Sequence, residues 1–282
     1  MSSTYTALGP TDAPAIVLVH GTRLSRGMWH PQLVALSGGF RIVALDLPGH
    51  GALRDRPFDW DEALDEIVRV IDEAAGGRAV LCGLSLGGYL AMEVAAAHPE
   101  RVAGLVISGA SAEPTGTFMP RGIRVFARVL ERTSTPRMER LNRAWFRRRY
   151  PAATANALLA GGFPYAAGGT ALRSLIGHDA RAAFAAYPGR KLIINGQLDL
   201  PFRLGERGFR RAARDARLLV VPGARHLVNL DRPSAYSSAL ARFTAEVTGS
   251  SPMAGAVPDV RQARSEVDQA RSEGDGSRSE GV

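Results

Sequence analysis

Short apolar runs alternate with longer stretches of helical period over most of the chain, and this alternation restricts the fold more than any other feature. The runs are Ala15–His20, Phe40–Asp46, Ala79–Gly83, Gly104–Ala110, Lys191–Gly196 and Ala216–Val221. They are apolar almost throughout rather than at every second residue, which predicts strands buried on both faces, as in a parallel sheet covered by helices. Helical period appears over Asp61–Ala75, Leu86–Ala97, Leu204–Arg214 and Pro233–Val247. Strands and helices in this order predict a doubly wound α/β domain.

The rhythm breaks between Thr115 and Pro188, where helical pieces are punctuated by Pro120, Pro136, Pro151, Pro164 and Gly168–Gly169. So long a stretch without a strand is more than a connecting loop. It predicts a helical insertion lying over one end of the sheet, some of its aromatic residues lining a pocket. The expected organisation is a core of residues 1–114 and 189–248, a helical cap over 115–188, and a tail over 249–282. The tail contains the near-repeats QARSEVD, QARSEGD and GSRSEGV. They lack the apolar a and d positions of a coiled coil, and their polarity predicts disorder.

Charge follows the same division. The 13 Lys+Arg and 3 Asp+Glu of Thr115–Arg190 give the insertion a net charge above the whole chain's +8, and Lys191 is the only lysine. A solvated arginine-rich surface explains this, and a surface attracting an anionic substrate or carrier is the sharper reading. No zinc-finger, RNA-recognition or basic-zipper pattern accompanies the charge, so nucleic acid is not an expected partner. No window reaches the roughly 18 apolar residues of a membrane span, and the N-terminus lacks a secretory pattern. The expectation is a cytoplasmic protein with no membrane partner. Cys82 is the only cysteine, which excludes an internal disulfide and a thiolate metal cluster; no metal is expected.

The function is carried by Gly83-Leu84-Ser85-Leu86-Gly87. This G-x-S-x-G sequence lies between a strand and a helix, where a serine occupies a strained turn with its hydroxyl exposed at the helix N-terminus. A serine hydroxyl needs a base, and an imidazole base needs a carboxylate to orient it. Of the six histidines, His226 follows the last strand and precedes the last helix, at the edge where ligands collect. His20 and His50 read as structural loop residues, and His98 closes a helix. Asp199 follows the strand before it; Asp46, Glu113 and Asp179 are further carboxylates near strand ends or the end of the insertion.

With these residues in view, the chain resembles α/β-hydrolases with an inserted cap over about residues 10–248. "VLVHGTRLSRGMW", "VALDLPGHG", "LCGLSLGGYLAMEVAAAHPERV", "LIINGQLD" and "VVPGARHLVNLDRP" stand in the family's order. The resemblance implies the α/β-hydrolase fold and a catalytic Ser85, Asp199 and His226 in the family's chain order. It further implies an oxyanion hole from the backbone N–H groups of Thr22 and Leu86, and no cofactor. Trp29 would line the pocket, and His30 and His178 fall near the cleft. Two departures stand out: Ala52 replaces the usual serine after G-H-G, and the N-terminus is short for the family's two leading strands.

The implied reaction is acyl transfer on an ester or lactone whose substrate is mostly apolar or carries an anionic group. The same residues serve thioesterases, acyltransferases and C–C bond hydrolases, and for a carrier-bound substrate the basic cap would contact the carrier protein. Some relatives are small-molecule receptors instead, so fold alone does not decide function.

Overall fold

A computed structural model describes residues 3–116, 118–213 and 215–250. Nearly all of the expected disordered tail lies outside them. Among the described residues seven strands form one sheet: β1 (Tyr5–Leu8), β2 (Ala15–Val19), β3 (Arg41–Leu45), β4 (Ala79–Leu84), β5 (Val102–Ser108), β6 (Lys191–Gly196) and β7 (Arg217–Val221). Their order across the sheet is β1-β3-β2-β4-β5-β6-β7. β1 runs antiparallel to β3, and every other pairing is parallel.

The helices are α1 (His30–Leu36), α2 (Trp60–Ala74), α3 (Leu86–Ala97), α4 (Phe118–Arg132), α5 (Pro136–Arg149), α6 (Ala152–Ala160), α7 (Tyr165–Ser174), α8 (Ala180–Ala186), α9 (Leu200–Arg203), α10 (Glu206–Ala212), α11 (Val228–Asp231) and α12 (Pro233–Thr248). Among the described residues no helix is long and apolar enough to cross a membrane.

Burial on both faces accounts for the unbroken apolar runs. In β2, Val17 and Val19 join the hydrophobic layer under α2, α3, α8 and α10, while Ile16 and Leu18 join the layer under α1 and α12. Successive strand residues point to opposite faces, so each residue of such a strand meets a helix. α2 shows the matching period: Asp59 caps it by accepting from the Glu62 N–H at 3.0 Å, and Ala63, Ile67, Val70, Ile71 and Ala74 are buried along one stripe.

Five helices, α4 to α8, fill the interval between β5 and β6. α8 stands at the end of the cap expected over 115–188. Phe184 of α8 packs on Phe209 of α10, ring centroids 5.4 Å apart, and belongs to the layer beneath the sheet. An apolar alanine-rich helix buries itself there, and Ala171 of α7 joins the same layer.

Candidate active site

Loops at the carboxyl ends of β2, β4, β6 and β7 meet at a cavity of about 490 Å³. They bring Thr22, Ser85, Leu86, Asp199 and His226 to its wall, and Ile123, Phe126, Phe146 and Leu172 close it from the α4, α5 and α7 side. This is the edge where parallel α/β sheets collect ligands.

Ser85 joins β4 to α3 with φ 55° and ψ −121°, a conformation that costs a non-glycine residue roughly 1–3 kcal/mol. The surroundings hold it there. The Ser85 N–H donates to the Ser108 carbonyl at 2.8 Å, and a Cβ on Gly87 would lie 2.3 Å from the Val19 carbonyl oxygen. Glycine therefore lets α3 begin against the end of β2. The serine ends at the N-terminus of a 12-residue helix, where free N–H groups favour negative charge.

Two main-chain bonds join the loop after β6 to the loop after β7. Gln197 N–H donates to the Val221 carbonyl and Leu198 N–H to the Ala224 carbonyl, each at 2.9 Å. The junction sets His226 Nδ1 2.9 Å from Oδ2 of buried Asp199. With a carboxylate on that side, Nδ1 carries the proton and Nε2 is left as the basic nitrogen. Phe202 stacks on the imidazole at 5.0 Å and 24°.

The other carboxylates weighed from the sequence have different tasks. Asp46 accepts the Arg26 and Ala52 N–H groups, each at 2.8 Å, and pairs with the Arg26 guanidinium. The alanine at position 52 thus still anchors its loop through its amide. Glu113 accepts from the Ala180 and Arg181 N–H groups, and Asp179 caps α8. His20 donates from Nδ1 to the Gly21 carbonyl and accepts the Leu47 N–H at Nε2. His50 likewise serves the Pro48 carbonyl and the Arg23 N–H. Burial lowers their pKa values to about 4 and about 3, keeping both rings neutral.

Three expected pocket residues lie elsewhere. Trp29 is fully buried in the layer under α12, its ring 5.9 Å from Tyr236; its size and apolarity are consumed by packing. His30 borders a separate hollow beside Arg26 and Asp46. His178 stacks on Trp60 at 4.2 Å and bonds Glu93 at 2.5 Å, sealing the seam between cap and core. Thr22 and Leu86 do line the cavity. Among the described residues, no hydrogen bond occupies either amide N–H.

Sequence reasoning missed Gly109 and Asn195. Gly109 has φ +54°, and a Cβ there would lie 2.7 Å from His226 Cε1 and 2.8 Å from Nδ1. Asn195 accepts the Gly109 N–H and donates to Ser111 Oγ and Glu206 Oε1, all at 2.9 Å. It ties β6 to the loop after β5 and to the start of α10, close to the His226–Asp199 pair. An asparagine inside the apolar run "LIING" was the available signal. No group of three or more His, Cys, Asp or Glu side chains suited to a metal ion occurs among the described residues.

The profile of the alpha/beta hydrolase family matches residues 16–239. The pimeloyl-(acyl-carrier protein) methyl ester esterase of Nitrosomonas europaea is 42% identical over 96 residues, 34% of this chain and 37% of that enzyme. The chain thus aligns with little more than a third of that relative's length. The enzyme of the same name from Nitrosospira multiformis is 26% identical over 82% of this chain and 95% of its own. Among solved structures, the enol-lactonase of Burkholderia xenovorans superposes with a TM-score of 0.67 at 22% identity, covering 85% of this chain and 95% of that one.

Proposed function

The chain belongs to the alpha/beta hydrolase family and is a hydrolase, and from that premise we propose that it cleaves carboxylic esters through an acyl-enzyme on Ser85. The observation that carries this is the strained Ser85 on the wall of a cavity shared with a His226–Asp199 pair bonded at 2.9 Å.

His226 Nε2 takes the Ser85 proton as Oγ attacks the ester carbonyl. The oxyanion that forms faces the Thr22 and Leu86 N–H groups; such a donor is worth on the order of 10²–10³ in rate. Collapse expels the alcohol, which leaves with the proton held by His226. Water, deprotonated by the same nitrogen, attacks the acyl-serine and releases the acid. Asp199 orients the imidazole and stabilises its cationic form. The cavity's largely apolar wall and its size fit a small or mid-sized acyl group.

Labelling with a fluorophosphonate followed by peptide mass spectrometry is expected to give one adduct, on Ser85. Ser85→Ala is expected to lower kcat on an activated ester by on the order of 10⁴–10⁶. Near-native turnover by that variant rejects the proposal. Repeated turnover separates an enzyme from a ligand-binding relative, which would turn over once, slowly.

A second reading concerns how the acyl group arrives. Arg137, Arg140 and Arg147 are exposed on α5 at i, i+3 and i+10, positions that share a helix face. The same helix contributes Phe146 to the cavity. A basic face on a helix that reaches the cavity suits a substrate presented on an acidic carrier protein, and the names of the two esterase relatives support that reading.

A further inference from the structure

Among the described residues, only Ser85 and Arg23 combine a side chain with a positive φ. Both border the same cavity. Arg23 has φ 65°, a left-handed conformation costing an L residue roughly 1–2 kcal/mol that glycine would avoid. Its N–H donates to His50 Nε2 at 3.3 Å. Its neighbour Thr22 donates through Oγ1 to the Gly168 carbonyl of α7 at 3.2 Å. Sheet edge and cap together therefore hold the arginine at this turn.

The guanidinium lies over the Tyr165 ring, 5.5 Å from its centroid. Among the described residues it has no ion pair and no side-chain hydrogen bond. Burial pulls its pKa below the ordinary arginine value and Tyr165 opposes the shift, yet a guanidinium keeps its proton at any working pH. Asp199, the carboxylate on the cavity wall, is bonded to His226. Arg23 thus brings a half-buried cation to the wall of a largely apolar cavity, with no counter-ion among the described residues. Partial burial of a cation without a partner is unfavourable, and the fork of N–H donors on arginine matches a carboxylate.

We infer that Arg23 receives a carboxylate of the substrate, so that the preferred substrates are half-esters or lactones retaining a free carboxylate away from the reacting carbonyl. The inference rests on Ser85 being the nucleophile.

Its test compares monomethyl glutarate with the matching amide, in which CONH2 replaces the carboxylate. Wild type is expected to favour the acid by about tenfold or more in kcat/KM, equivalent to about 1.4 kcal/mol. Arg23→Gly, which accepts the left-handed turn, is expected to remove that ratio mainly through KM. A wild-type ratio within about twofold of unity, or one that Arg23→Gly leaves unchanged, overturns the inference. Isothermal titration of both compounds into Ser85→Ala reads the same preference without turnover, and equal binding there overturns it too. Fluorophosphonate labelling of the same preparations separates the two failures: a labelled enzyme without the preference rejects Arg23 alone, and an unlabelled one rejects the Ser85 reading.

Discussion

At the sheet edge His20 and His50 each bond two main-chain groups, and Asn195 bridges the loop after β5 and the start of α10. In the overlying helices, Arg143 pairs with Glu139 within α5 and Arg173 with Glu131 across from α7 to α4. The first kind of bond is buried and fixes backbone. The second is partly exposed and contributes ~0–1 kcal/mol per pair. The edge is thus built to hold a geometry, whereas the cap is held by aromatic packing, with Phe146 stacked 5.4 Å from Phe163, and presents charge outward. Changes at the edge are expected to damage chemistry or stability, and changes on the cap's outer face to alter only what approaches it.

Acid challenges the edge most strongly. Folded His20 and His50 resist protonation down to about 4 and about 3, through burial first, whereas in the unfolded chain both titrate near 6.5. A depressed folded value means that stability is complete above pH 6.5 and is lost as pH falls below it, at up to about 1.4 kcal/mol per pH unit for each ring. The two together are expected to cost on the order of 3 kcal/mol between pH 6.5 and pH 5. Urea midpoints measured across that interval check this; a flat profile would show that the rings are not held neutral.

A smaller but more local effect is expected at Gly109. A methyl group there meets the His226 ring at under 3 Å in a backbone conformation with positive φ. Gly109→Ala should shift the imidazole from Ser85 and lower kcat by about 10², with KM little changed. Loss in KM alone would show that the turn positions substrate rather than the base.

Legibility in the sequence follows the same contrast. Six strands could be read from "AIVLVH" to "ARLLVV" because each is an unbroken apolar run, fully buried in β2, β4 and β6 and half-buried in the edge strand β7. β1 was missed because "YTAL" is four residues long and only partly buried. The candidate residues at 85, 199 and 226, which the structure brings to one cavity wall, could be picked out because strand ends and glycine turns mark their loops. Trp29, His30 and His178 were misplaced because nothing local tells a residue beside the cavity from one packed behind it. Arg23 was invisible for a related reason: its backbone conformation and the lack of a partner emerge only once α7 lies against the β2 loop.

The smallest expected effect concerns the outer face of α5. Replacing Arg137, Arg140 and Arg147 by glutamate reverses an exposed stripe that takes no part in the cavity wall, so hydrolysis of a free ester should change less than about twofold. Surface charge acts chiefly on encounter with a charged partner. For an ester tethered to an acidic carrier protein, the same triple variant should therefore raise KM by about tenfold while kcat holds, and added salt should weaken the wild type toward the variant. Equal KM values for the tethered substrate would remove the carrier reading and leave the arginines as solvation. A matching loss on the free ester would show instead that α5 shapes the cavity from outside, and that edge and cap are less separable than their bonding suggests.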